Sequence, residues 1–282
     1  MMLPASMHRD CSAIEPGARW MTNAAYHAGP ALSSSLLARV ATSCLADALL
    51  AREDVGVPSG AMMLGSAIHA RLLGTDERVE VHACKHASGA KRDEAVVALL
   101  DDGADVVIHA DDVAVIDGCG AAVLAHPEAS RLLGACDLRE VSLFSRDSET
   151  GLALRVRPDA VGLTLVDLKT TGKGVDPDTW AKAIWDRGYH VAAALYRDVV
   201  TEIAGADPGP MHHIVVSTTA PHRVRVYVIG EDTERAGRAA YRRALDTYAQ
   251  WLKEAREHGQ AWAGPSREVE IIDAPAWALR RM

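Results

Sequence analysis

Two acidic residues and a lysine stand close enough in the chain to do chemistry together. Arg157-Pro158-Asp159 is followed, after seven residues, by Asp167-Leu168-Lys169-Thr170-Thr171. Side chains two apart on a β-strand share a face, so Asp167 and Lys169 point the same way. A hairpin turning near Gly162 brings Asp159 alongside them. Two carboxylates and an ammonium then converge. Carboxylate oxygens are natural ligands of Mg²⁺, and a metal there would bind a scissile phosphate and activate a water. The lysine can orient that water or stabilise negative charge on the phosphoryl oxygens. By itself the triplet has little weight: with six lysines and 38 acids in 282 residues, chance puts an acid two places before some lysine roughly once. A strand-end ion pair worth ~0–1 kcal/mol is the plain alternative.

The elements around the motif bear on that choice. Leu165 and Val166 run directly into Asp167, so the charges end a buried strand, where ionised groups cost free energy unless paired or metal-bound. Val141, Leu143 and Ser145 alternate as a strand, Asp147–Gly151 reads as a hairpin turn, and Leu152–Val156 and Leu163–Leu168 are two further strands about Gly162. A Gly/Pro loop leads to a helix with Trp180, Ile184 and Trp185, and Gly188 separates it from a second, Tyr189–Ile203. Strands His213–Thr218 and Arg223–Ile229 flank Ala220-Pro221. A long helix, Glu231 to His258, carries Tyr241, Leu245, Tyr248 and Leu252 at helical spacing.

Upstream, Ser33, Ser34 and Ser35 cap a helix reaching Leu49, and Gly65-Ser66-Ala67-Ile68-His69 lies on a second that ends at Gly74. Residues 75–110 read as a short strand, a helix over 93–101 and a strand at Val106–Ile108, followed by helices over 111–125 and after Pro127. This order predicts an α/β fold: a mixed β-sheet flanked by helices, with a helical N-terminal part. Residues 1–30 lack periodicity and are expected to be a poorly ordered leader. Residues 31–282 are expected to form one domain, helical over 31–136, with the core and C-terminal helix over 137–282.

Read in order, the capped helix at Ser33 and the segments MLGSAIHARLLG, AHPEASRLL, EVSLF, RPDAVGLTLVDLKTT, GYHVAAALY and YRRALDTY make a specific set. From about Leu32 to Trp277 the chain resembles the exodeoxyribonuclease VIII (RecE-type) branch of the PD-(D/E)xK nucleases, typical of phages and prophages. The resemblance implies a restriction-endonuclease-like PD-(D/E)xK core. It implies a metal-dependent exodeoxyribonuclease that degrades linear double-stranded DNA from 5′ ends, leaving 3′ single strands for a single-strand annealing protein. Carried over by position, it makes His69, Asp159 and Asp167 metal ligands with the Leu168 carbonyl, Lys169 the catalytic lysine, and Glu140 an acid near the site. Mg²⁺ is the expected ion, with Mn²⁺ also accepted because imidazole suits Mn²⁺ better. A ring-like homo-oligomer threading the DNA is implied as well. The helix after the core often carries Gln and Tyr four apart; here Tyr196 matches, but Ala192 stands at the Gln position.

Each residue also has a plainer reading. A lone histidine among apolar helix residues is usually hydrogen-bonded core or surface, and what favours His69 as a ligand is its small-residue segment. Glu140, at a strand start, could be solvated. Tyr189 and Tyr196 lie seven apart, where core packing is the default, with Tyr196 also a candidate to line the site. Arg157 is a candidate DNA contact beside Asp159. Arg235, Arg238 and Arg242 form a stripe that would grip DNA phosphates if it faced the substrate, although Glu231, Glu234 and Asp246 slightly favour intrahelical ion pairs. His109, His212 and His213 read as structural, and the acids from Asp93 to Asp117 as a solvated face.

The formal net charge of −8 argues against a nucleic-acid partner only in bulk. Residues 1–130 hold 9 Lys+Arg and 17 Asp+Glu, whereas residues 131–282 hold 21 of each, so the excess of acid lies in the first half. Five scattered cysteines with no C-x-x-C pair fit reduced thiols rather than a disulfide framework or a zinc knuckle. No uncharged apolar run approaches the ~18 residues of a membrane helix. Pro4, His8, Arg9, Asp10 and Glu15 interrupt any signal stretch, so a cytoplasmic protein without membrane attachment is expected. No Walker loop is present, so ATP is not expected to be required. Two other readings stay open: a PD-(D/E)xK nuclease acting on single-stranded or branched DNA, and a non-catalytic DNA-binding protein on a decayed nuclease fold.

Overall fold

Apolar alternation and serine caps set the elements of this chain, and a computed structural model shows how they meet. It describes residues 1–10, 14–53, 56–82, 84 and 89–269. Cys11 and the end of the motif match at Trp277 lie outside the described residues. The first half contains β1 (Met2–Pro4), β2 (Gly17–Arg19), α1 (Asn23–Ala28), β3 (Leu32–Ser33), α2 (Ser34–Thr42), α3 (Leu45–Glu53), α4 (Gly60–Leu73), β4 (Val79–His82), α5 (Ala90–Asp101), β5 (Val106–His109), α6 (Asp112–Ala125) and α7 (Pro127–Gly134). The second contains β6 (Cys136–Arg139), β7 (Ser142–Arg146), β8 (Ala153–Val156), β9 (Ala160–Gly162), β10 (Leu165–Thr171), α8 (Pro177–Asp186), α9 (Tyr189–Ala204), β11 (Met211–Ser217), β12 (Val224–Val228), α10 (Glu231–His258) and β13 (Gln260–Trp262).

The central sheet runs β12-β11-β10-β9-β6. Within this sheet, among the described residues, only β10 and β11 pair in parallel, and the α8–α9 crossover between them supplies the connection such a pair requires. Along β10 the pleat divides the side chains. Leu165 packs with α2, α9 and α10, while Val166 and Leu168 pack with α4 and α6 on the other face. Asp167 and Lys169 therefore share the face of Leu165, toward α9.

Three expectations are corrected. Residues 1–30 do not form a loose leader where they are described: β1 pairs with β13, β2 pairs with β7, and Thr22 caps α1. These short strands join the ends and edges of other strands through backbone hydrogen bonds, which need no apolar repeat. The helix expected from Ser33 to Leu49 is two helices, parted at Ser43, whose hydroxyl donates to Asp47 instead of serving a continuous helix. The β7–β8 hairpin stands outside the central sheet, in a second sheet ordered β2-β7-β8-β3. β8 ends at Val156, and Pro158, lacking an N–H, cannot carry its ladder on into β9.

Candidate active site

Four neighbouring strands bring their polar residues into one row. Val161 pairs with Leu165 and Ala160 with Val166, so Asp159 falls opposite Asp167 at the next position. Asp167 in turn lies beside His213 in the parallel ladder. On the other side Arg139 pairs with Ala160, and the Glu140 N–H donates to the Asp159 carbonyl at 3.2 Å. Glu140 follows directly on β6 with φ 49°, a left-handed conformation that costs a residue with a Cβ ~1–2 kcal/mol.

His69 reaches the row from α4, a helix capped by Ser59 and closed by Gly74 in the left-handed region. One turn before it, Gly65 permits a close approach to β10, because a Cβ there would lie 3.2 Å from Thr170 Oγ1. The His69 Nδ1 stands 3.5 Å from Asp159 Oδ1. Ligand atoms of His69, Glu140 and Asp159 all lie within 4.8 Å of one another. Asp167 is outside this triple. Its Oδ2 pairs with the Lys169 ammonium and faces His213 Nε2 at 3.6 Å. Leu168 makes its visible contact with the site through its N–H, which donates to Asp159 Oδ2.

The charges shape one another. Burial and the Asp159 carboxylate push Glu140 up to about 7, against the pull of His69 and Arg157. Burial, aided by Asp159, holds Asp167 above the usual carboxylate range despite Lys169. Burial acts on Asp159 too, but His69, Lys169 and the Leu168 N–H outweigh it and hold Asp159 low. Burial opposes protonation of His69, yet the charge and hydrogen bond of Asp159 raise its pKa. Burial likewise opposes Lys169, and Asp167 and Asp159 more than offset it, so the ammonium persists. Its Nζ lies 5.0 Å from the Tyr189 ring centroid. Burial and Lys169 push His213 down to about 3, leaving it neutral.

Two carboxylates and an imidazole at this spacing are a suitable donor set for a divalent cation, the oxygens for Mg²⁺ and the nitrogen for Mn²⁺. Tyr196 borders the site from α9, half-buried, with its hydroxyl engaged by the Ser34 side chain and the Arg157 backbone. Arg157, the expected DNA contact, is engaged within the fold. Its buried guanidinium donates to Ser142 Oγ and to the Met21 carbonyl, lies 4.3 Å from the Tyr26 ring centroid, and approaches Glu140 Oε2 at 4.0 Å. The α10 stripe is engaged in ion pairs, but only Arg235 and one partner of Arg238 are intrahelical as expected; the others reach across to α9 and the β7–β8 turn. Arg238 binds Asp198 and Glu234, Arg242 binds Asp147 and Glu149, and the more exposed Arg235 binds Asp232. Sequence reasoning read His213 as structural and Tyr189 as core packing, with no site role for either. The available signal was that His213 occupies a strand next to the motif strand, and that signal required the ladder register.

A mixed sheet with acids and a lysine at its centre and helices packed against it is the α/β fold of the PD-(D/E)xK class. Residues 33–268 match a PDDEXK-like domain of unknown function (DUF3799), and the chain belongs to that family. The crystal structure of a "putative exonuclease" from Eubacterium rectale shares the fold, with TM-score 0.62 and 12% identity over 93% of this chain and 98% of that one. No protein with a curated description matches the sequence. Among the described residues, no helix is long and apolar enough to cross a membrane.

Proposed function

We propose that the chain is a divalent-cation-dependent, ATP-independent exodeoxyribonuclease of the RecE type. It degrades linear duplex DNA from 5′ ends and leaves 3′ single strands for an annealing protein, working as a ring-like homo-oligomer in the cytoplasm. The observation that carries the reading is the meeting of His69, Glu140 and Asp159, with ligand atoms within 4.8 Å, beside the Asp167–Lys169 pair on the next strand. The ordered sequence motifs and membership of a PDDEXK-like family support it.

Mg²⁺ or Mn²⁺ held by His69, Glu140 and Asp159, with Asp167 beside them, would supply positive charge to a scissile phosphate and acidify a water. The chain does the rest. The Leu168 N–H fixes Asp159 by donating to Oδ2. Arg157 sets Glu140 from behind while tied to Ser142. Lys169 remains an ammonium and can stabilise charge growing on the phosphoryl oxygens. Tyr196 bounds the site on the α9 side.

The test is incubation with end-labelled linear and closed circular duplex DNA in Mg²⁺ without ATP, beside Lys169→Ala. Mononucleotides released from the linear duplex alone, and lost in the variant, support the proposal. Cleaved circles point to an endonuclease of the same fold. Binding without products favours a DNA-binding protein, the reading that Ala192 at the Gln position prompts.

A further inference from the structure

His213 is a buried polar side chain without a hydrogen-bond partner. It is 1% exposed, and neither ring nitrogen meets a partner. Leaving such groups unsatisfied costs ~1–3 kcal/mol, so an apolar residue would suit the fold better unless the imidazole has a task. The surroundings limit what that task can be. Trp180 and Tyr189 each meet the ring edge-on with centroids 5.8 Å away, and Tyr227 is its ladder neighbour on β12. These groups form an aromatic wall behind the motif strand. The carboxylate that faces the ring is that of Asp167, with Oδ2 at 3.6 Å from Nε2.

The contacts of Asp167 are one-sided. Lys169 Nζ and His213 Nε2 both address Oδ2, and among the described residues neither an ion pair nor a hydrogen bond falls on Oδ1. We infer that His213 is a positioning residue: its Nε2, aimed at Oδ2 of Asp167 from 3.6 Å, acts on that oxygen electrostatically beside the Lys169 ammonium and leaves Oδ1 as the oxygen that serves the reaction. This rests on the nuclease reading above. The strand register supports it, because β11 pairs with β10 residue by residue and puts His213 next to Asp167 rather than beside Lys169. The aromatic wall prevents the imidazole from turning away.

Two measurements test the inference. In imidazole proton–nitrogen spectra, His213 should appear as one neutral tautomer with its proton on Nε2, and that resonance should move in Asp167→Asn. In turnover on linear duplex DNA, His213→Phe keeps a ring of similar size without nitrogens and should lower kcat about 10–100-fold with KM for DNA little changed and the melting temperature unchanged or raised. His213→Gln returns an N–H near the Nε2 position and should recover most of the loss, which a packing role alone would not produce. A proton on Nδ1, an Nε2 signal indifferent to Asp167→Asn, or a folded Phe variant turning over at the parent rate overturns the inference. A parent chain that cleaves no DNA defeats the nuclease reading instead, and the spectra then decide the His213–Asp167 contact by themselves.

Discussion

Replacing Glu140 by Gln should stabilise the metal-free protein at pH 8 and leave it nearly unchanged at pH 5. The Glu140 side chain is 26% exposed, and burial beside Asp159 lifts its pKa from 4.5 to about 7. At ~1.4 kcal/mol per pH unit, that displacement is worth about 3 kcal/mol, and solvent reaching the exposed quarter trims it to about 2 kcal/mol. The sign follows from proton counting. Between 4.5 and 7 the folded chain holds a proton on Glu140 that the unfolded chain has released, so stability falls as pH rises through this window and levels off above it. Gln cannot ionise and escapes the fall. In thermal unfolding with chelator, Glu140→Gln should therefore melt about 4 °C above the parent at pH 8, taking about 2 °C per kcal/mol for a chain of this size. Mn²⁺ should then raise the parent more than the variant, because a ligand that binds only the folded state adds stability according to its affinity. A gap equal at the two pH values, or equal gains from Mn²⁺, would refute both the electrostatic argument and the place of Glu140 in the donor set.

Arg157→Lys should lose about 3 kcal/mol in urea unfolding, since one ammonium cannot bridge Ser142, the Met21 carbonyl and the Tyr26 ring together; a loss under 1 kcal/mol with weakened DNA binding would make Arg157 a substrate contact after all. Lys169→Met should reduce nuclease turnover ~10²–10³-fold while the chain still binds DNA, measured by product release and by retention of labelled duplex. Mn²⁺ should support turnover beside Mg²⁺ and lose that ability preferentially in His69→Ala, whereas an enzyme active in Mg²⁺ and dead in Mn²⁺ counts against His69 as a ligand. Gly237→Ala should destabilise by at least ~1–3 kcal/mol in the same urea assay, because its Cβ would sit 2.0 Å from the His190 carbonyl oxygen where α10 crosses α9.

What the sequence made legible was whatever local pattern controls. The motif strand, the span of α10 and the Ser33 cap were readable because each rests on residues within one or two turns, although β10 starts at Leu165 and runs past Asp167 to Thr171 instead of ending with the charges. The meeting of Asp159 with Asp167 was readable too, since Gly162 marks a short hairpin and period-two alternation sets the faces. What escaped depends on pairs distant in sequence. β6 is four residues with an irregular register, so its ladder with β9, which delivers Glu140, leaves no alternating signature. Arg157 has the charge of a phosphate contact, and only the fold shows that Ser142 and Tyr26 enclose it. His213 was read as structural because its dipeptide His212-His213 says nothing of which histidine faces the motif strand.

The site's electrostatics explain why the −8 net charge is a poor guide to partners. Glu140, Asp159 and Asp167 are set side by side with one ammonium and two imidazoles, those of His69 and His213, beside them, and two of the three carboxyls are pushed above their ordinary range by burial and mutual repulsion. For stability alone, buried charges so arranged are inferior to apolar residues of the same volume. The arginines that could have balanced them are committed elsewhere: Arg238 to Asp198 and Glu234, Arg242 to Asp147 and Glu149, Arg197 to Asp207 and Glu234. Arg157 approaches Glu140 only at 4.0 Å, and its hydrogen bonds go to Ser142 and the Met21 carbonyl. A divalent cation would add positive charge to this cluster, and its size and ligand preference fit two carboxylates and an imidazole. The same cation would offset the repulsion between these acids and a phosphate, so affinity for the scissile group should rise with cation occupancy rather than with the number of basic residues.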